Sequence, residues 1–307
     1  MSTDADAPLI TLRSGSGSET CEVVIDVRAG GRVRSVLIVA GDPDDRVELL
    51  ADPGPAEPWS SAWGSFVMAP WAGRTRHGRF DVGGRTVALA VNHDDGDGTG
   101  VGGGPLHPPR PPLPAGELAP GDVGRHSIHG TTFARAWTVD ANDGTRIEMS
   151  CPLVGALDWP FAGTASQVVE VGPRSVDFAL AVTSDGESFP AALGWHPWFA
   201  KPDAVEFEPS AMYELDDIRM PTGRLVEPSP GPWDDCFVAT GPARLRWDRP
   251  TAPVVTITSD CDHVVVFDRL GRSSCVEPQT GPPDSLNLLP VTVSPERPLR
   301  RTMRWEW

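Results

Sequence analysis

A chain of 307 residues with 39% hydrophobic side chains and 11 Trp has enough apolar material for one large packed domain. Its formal net charge of −16 opposes general binding to nucleic acid or to an anionic membrane surface. Its five cysteines are odd in number, widely spaced and lack a Cys-x-x-Cys pair, so neither a disulfide framework nor a zinc site is expected from them. The stretch from Met1 to Thr20 is polar and acidic, without the apolar centre of a secretion signal, so a cytoplasmic protein is expected.

Gly (32) and Pro (33) are both abundant, which favours frequent turns and many strands over long helices. Cys21 to Val27 alternates, Gly30-Gly31 can turn, and Arg32 to Val39 returns. Gly78 to Asp81 and Thr86 to Val91 flank Gly83-Gly84, and Thr131 to Val139 and Thr145 to Ser150 flank Asn142-Asp143-Gly144. Each pair predicts a hairpin. Further strands are predicted at Gln167 to Val171, Ser175 to Thr183, Ala191 to Gly194, Ala243 to Trp247, Val254 to Thr258 and His263 to Asp268. No window sustains a 3.6-residue repeat. The expected fold is all-β: a large antiparallel β-sandwich spanning residues 1–307 as a single domain, with few or no long helices. Asn92 to Gly124, rich in Asp, Gly and Pro, is expected to be an insertion loop, either a surface excursion or a flap over a binding site.

His126 and His129 have a spacing that binds metal on a helix, but they precede a predicted strand, where residues three apart face opposite sides. Asp94-Asp95-Gly96-Asp97-Gly98 has the look of a calcium loop, yet Leu106 stands where the bidentate glutamate is needed. There is no nucleophile elbow, phosphate loop or dinucleotide fingerprint. No metal and no cofactor are therefore expected. Two residues stand out instead. His196 lies in Gly194-Trp195-His196-Pro197-Trp198-Phe199, and Glu277 in Cys275-Val276-Glu277-Pro278-Gln279-Thr280. An imidazole and a carboxylate in stiff apolar settings suit proton transfer near neutral pH.

These strings occur in order with others: Pro70-Trp71-Ala72-Gly73-Arg74, His129-Gly130, Trp233-Asp234-Asp235-Cys236-Phe237 and Pro283-Asp284-Ser285-Leu286-Asn287. Together, from about Pro70 to Asn287, they resemble the aldose 1-epimerase (galactose mutarotase) family. The resemblance implies a mutarotase-type β-sandwich, no cofactor, and a small sugar as the partner of a monomer or homodimer. It implies Glu277 as general base, His196 as general acid and His129 as the second active-site histidine. Arg74 and Asp234 would bind sugar hydroxyls, with Asp235 as the alternative to Asp234. Trp195 and Trp198, and also Trp71 and Trp233, would stack on the sugar. The family usually has Asn where Gly73 stands and Tyr where Trp198 stands, so these departures bear on sugar choice. The implied reaction exchanges the α and β anomers of a free aldose. A hexose-6-phosphate 1-epimerase and a non-catalytic sugar-binding protein of the same fold remain as alternatives. The Glu277 and His196 side chains should share one concave face, roughly 4–8 Å apart, for both to reach one acetal centre.

Overall fold

The computed structural model describes residues 9–16, 19–40, 46–52, 62–94, 106–116, 118–239, 241–248 and 253–307. Among these the regular structure is nearly all antiparallel strand, and the one α-helix is the single turn Ser285–Leu288. Among the described residues no helix is long and apolar enough to cross a membrane.

Two large sheets dominate. The eleven-stranded sheet runs in the order Ile10–Ser16, Glu19–Asp26, Arg32–Ala40, Ser65–Met68, Gly194–Ala200, Ser273–Gln279, His263–Phe267, Asp234–Ala239, Pro209–Leu215, Pro221–Val226, with Arg46–Glu48 paired to Arg32–Ala40. The eight-stranded sheet is built on Thr138–Asn142, Arg146–Pro152, Gly163–Gly172, Ser175–Ser184 and Leu299–Glu306. Alternation explains how they meet. Cys21, Val23 and Ile25 point inward from one sheet, Ile147, Met149 and Val169 from the other, and all are wholly buried in one core. The middle strands of the large sheet do not alternate. Ser65–Met68 and Ser273–Gln279 are buried at every residue, because both faces are covered.

Two predicted strands are corrected. Of Thr131 to Val139 only Thr138 and Val139 are extended, at the start of the strand Thr138–Asn142, because His129 (φ 63°) and Gly130 (φ 77°) turn the chain into a loop that Thr131 N–H pins to the Ala69 carbonyl. The predicted strand Ala191 to Gly194 is the point where the chain changes sheets. Phe189–Ala191 pairs with Val291–Val293, whereas Gly194–Ala200 enters the large sheet.

The stretch from Asn92 to Gly124 is also more structured than a surface loop at its ends. Val91–Asp94, Leu106–Arg110 and Arg125–Ile128 join Arg74–Arg76 in a four-stranded sheet. Asn92 and His93 are buried, and the Asn92 side chain bonds both backbone groups of Ile128. Residues 95–105 and 117, including most of the calcium-like string, lie outside the described residues.

Candidate active site

Gly194–Ala200 lies between Ser65–Met68 and Ser273–Gln279. The register Gly194↔Gln279 and Trp198↔Cys275 brackets His196 and Glu277, making them cross-strand neighbours. His196 Nε2 sits 3.4 Å from Glu277 Oε1, and the side chains are only 8% and 6% exposed. That is closer than the expected separation, because the two groups stand side by side on one sheet face and do not oppose each other across a cleft. Pro197 and Pro278 lie in the same stretch of the ladder and supply no N–H, so backbone pairing is interrupted beside the pair. The imidazole stacks on Phe66 (4.7 Å) and on Trp198 (5.0 Å), which fixes its plane.

His129 reaches the same place from the loop after Arg125–Ile128. Its ring meets His196 edge-on at 5.0 Å, and its Nδ1 lies 3.0 Å from the Met68 sulfur. The left-handed turn at His129-Gly130 makes this approach possible. A Cβ on Gly130 would fall 2.0 Å from the Ala69 carbonyl oxygen, so only glycine fits there. Gly130→Ala is therefore expected to cost more than the ~1–3 kcal/mol of a left-handed alanine alone, since backbone overlap adds to it. Thermal unfolding beside Gly83→Ala checks this, because Gly83 has a similar φ of 58° with nothing within 4 Å. Equal destabilisation of the two variants would remove the packing argument.

Arg74 opens the strand Arg74–Arg76, paired to Arg125–Ile128. This strand is tied down from outside, since Asp284 accepts from Arg76 N–H at 2.9 Å. Asp234 opens Asp234–Ala239, and its carboxylate lies 3.0 Å from Arg219 Nη2. Asp235 is less well placed to meet a ligand, because its carboxylate accepts from the Asp234 N–H.

The electrostatics follow from burial. Burial raises the Glu277 carboxyl well above its ordinary range; the Asp234 carboxylate adds to this and Arg74 opposes it. Burial lowers His196 to about 3, with the Arg32 charge adding. His129 is pushed well down by burial and by the neighbouring His196. Burial also raises Asp234, against the charges of Arg74, Arg219 and Arg269. Both members of the central pair are thus driven toward neutrality. Both shifts favour an uncharged pair, with the shared proton on the carboxyl. This reverses the resting charges a simple carboxylate base and imidazolium acid would have.

Two aromatic expectations are corrected. Trp195 is 1% exposed and Trp71 is wholly buried, both in the main core between the sheets, so neither is available to a sugar. Trp198 is on the His196 side, but its ring stacks on that imidazole. Trp233 donates to the Ser229 carbonyl and packs edge-on against Phe207 and Phe237. The structure also adds residues the sequence did not flag. Cys275 shares the face of His196 and Glu277. Arg32 is 4% exposed, with its guanidinium 4.1 Å from the Trp63 ring and 4.6 Å from the Phe66 ring. Arg219 pairs with Asp234. A Cys-x-Glu alternation was the one available sequence signal, for Cys275; no comparable pattern marks Arg32 or Arg219.

A sequence model of the family described as aldose 1-epimerase matches residues 116–276, just over half of the chain. The match contains His129, His196, Asp234 and Cys275; Glu277 is the next residue after it. No curated protein sequence matches the chain. Solved structures do, at low identity. The GalM/aldose epimerase homologue of C. elegans has a TM-score of 0.74 at 13% identity, covering 97% of this chain and 98% of that one. A galactose 1-epimerase of Lactobacillus acidophilus NCFM gives 0.69 at 15%, covering 100% and 96%. A galactose mutarotase-like protein of Lactobacillus casei gives 0.68 at 14%, covering 97% and 99%. At these identities the likeness establishes the fold.

Proposed function

Because this chain belongs to the aldose 1-epimerase family, we propose that it interconverts the α and β anomers of a free aldose by general acid–base ring opening. The observation that carries this reading is the buried contact of 3.4 Å between His196 and Glu277. The C1 hydroxyl and the ring oxygen of a pyranose are bonded to the same carbon. Two groups side by side on one sheet face can therefore each take one of these oxygens.

The chemistry needs only proton movement. Glu277 accepts the C1 hydroxyl proton while His196 donates to the ring oxygen. The bond from C1 to the ring oxygen breaks and the open-chain aldehyde forms. Rotation about C1–C2 presents the other carbonyl face, and the reverse transfers close the ring. The pair carries one proton before and after. In the dry site that proton rests on Glu277. The hydroxyls of a bound sugar, with Arg74 beside the carboxylate, favour its passage to His196, which generates the reactive form. His129, within ring contact of His196, is placed to stabilise charge developing near the ring oxygen. Arg74 and Asp234 orient hydroxyls. General acid and base catalysis contribute about 10²–10⁴-fold each, enough for a reaction that already proceeds in water.

A second reading rests on the arginines. Arg74, Arg219 and Arg269 all bear on Asp234, and the Nε–H groups of Arg219 and Arg269 are buried without an acceptor among the described residues. Such a cluster suits a sugar carrying a phosphate. Polarimetry on freshly dissolved anomers of free aldoses, beside anomer exchange followed by NMR on hexose 6-phosphates, separates the two. Free aldoses are expected to be turned over. Exchange confined to the phosphorylated sugars would select the second reading, and binding without any exchange would select a sugar-binding protein. Activity is expected to survive exhaustive dialysis against EDTA, since only protons move; a loss restored by a divalent ion would overturn the cofactor-free mechanism.

A further inference from the structure

We propose that the face bearing His196, Cys275 and Glu277 is also a binding site for a thiophilic divalent cation of the Zn²⁺ class, which excludes the sugar when bound. Only the effect on activity rests on the epimerase reading; the binding itself stands on geometry.

Cys275 and Glu277 are two apart on one strand and so share a face. His196 is the cross-strand neighbour of Glu277. One nitrogen, one sulfur and one carboxylate oxygen from these residues all lie within 4.8 Å of one another. The separation from His196 Nε2 to Glu277 Oε1 is 3.4 Å. Tetrahedral zinc has bonds of about 2.0–2.2 Å to nitrogen and oxygen and about 2.3 Å to sulfur, which places neighbouring donors about 3.3–3.6 Å apart. Small side-chain rotations therefore close the shell. Three protein ligands leave a fourth position open, as in zinc sites that hold water or a small ligand.

The chemistry of the donors agrees. Thiolate and imidazole select zinc and its soft relatives over magnesium or calcium. Binding displaces the thiol proton of Cys275, and the carboxyl proton of Glu277, to solvent. A doubly charged cation with one thiolate and one carboxylate is neutral overall. A neutral assembly suits a face walled by Phe66, Trp198 and Phe267, where an isolated charge is costly. Because the ion takes both His196 and Glu277, neither remains to serve the sugar.

The test uses the full chain, stripped with EDTA and freed of chelator, then titrated with Co²⁺ as the probe. One equivalent is expected to give a thiolate-to-cobalt band in the near ultraviolet and the intense visible bands of tetrahedral cobalt, both abolished by Zn²⁺. Cys275→Ser and Cys275→Ala are expected to lose the near-ultraviolet band and to bind at least about a hundredfold more weakly. Zn²⁺ is expected to raise the sugar KM of the wild type with kcat unchanged, reversibly on adding EDTA. No thiolate band in the wild-type protein, or the same band in a folded Cys275 variant, overturns the proposal. The wild-type spectrum decides this even if both variants fail to fold. A Cys275-dependent band in a protein that turns over no sugar would leave the metal site standing and remove the epimerase reading. Anomer exchange without any band would do the reverse.

Discussion

Glu277→Gln is expected to lower the anomer-exchange rate by about 10²–10⁴-fold while sugar binding changes by less than roughly tenfold. Gln keeps the shape and can hydrogen-bond to the same hydroxyl, but it cannot take a proton. The same change is expected to stabilise the fold. The folded state holds the Glu277 carboxyl well above its ordinary value of 4.5, so it keeps a proton that the unfolded chain releases. Stability from this group is present below pH 4.5 and is lost as pH rises toward the folded pKa. Gln does not titrate and escapes the loss. At pH 7–8 the variant should melt roughly 2 °C or more above the wild type, the shift that about 1 kcal/mol gives in a large domain. Polarimetry and thermal unfolding on one preparation read both effects. A variant keeping more than about a tenth of the rate would remove Glu277 as the base.

His196→Asn is expected to lose about 10²–10⁴-fold in kcat/KM and to invert one limb of its pH profile. In the wild type the active pair holds one proton. Below the lower macroscopic pKa His196 gains a second proton and no base is left. Burial pulls that limb down toward about 3. Above the upper pKa the last proton leaves and no acid remains, so the rate falls. The Asn variant has no acid to lose and needs only ionised Glu277. Its residual rate should therefore rise through the pH region where the wild type declines. Stability has the opposite dependence. His196 is lowered from 6.5, so its folded-state advantage is present above 6.5 and is lost as pH falls toward 3, and the Asn variant escapes this loss. Parallel profiles for the two proteins would contradict the shared-proton assignment.

The edge and hairpin strands were legible because one face is wet. Glu19–Asp26 alternates between half-buried and buried, and the turn glycines mark its partner Arg32–Ala40. The strands that carry the candidate site were not legible as strands. Ser65–Met68, Gly194–Ala200 and Ser273–Gln279 are covered on both faces, so no period-two pattern exists, and Pro197 and Pro278 argue against a central strand. Their local chemistry was readable all the same, because His196-Pro197 and Glu277-Pro278 are strings with an order. What the strings could not give is the side on which a residue points. Trp195 and Trp198 look alike in sequence, yet one belongs to the inter-sheet core and the other to the His196 face. Cys275 was read as a spacing without a Cys-x-x-Cys pair; of the two groups on its face, Glu277 is two residues on and His196 comes from a strand about eighty residues away.

The neighbour of Gly194–Ala200 in the large sheet is Ser65–Met68, more than a hundred residues earlier in the chain. On the other side it meets Ser273–Gln279, close to the far end. The reactive face therefore lies on the seam where the early and late portions of the polypeptide are joined. Closing such a seam costs loop entropy that no local hairpin offsets, which places it late in folding. During refolding, strand content measured by circular dichroism should recover ahead of catalysis, and a fragment ending before Ser273 should bind no sugar however well its hairpins form. Under the proposed function, recovery of anomer exchange then gauges completed assembly.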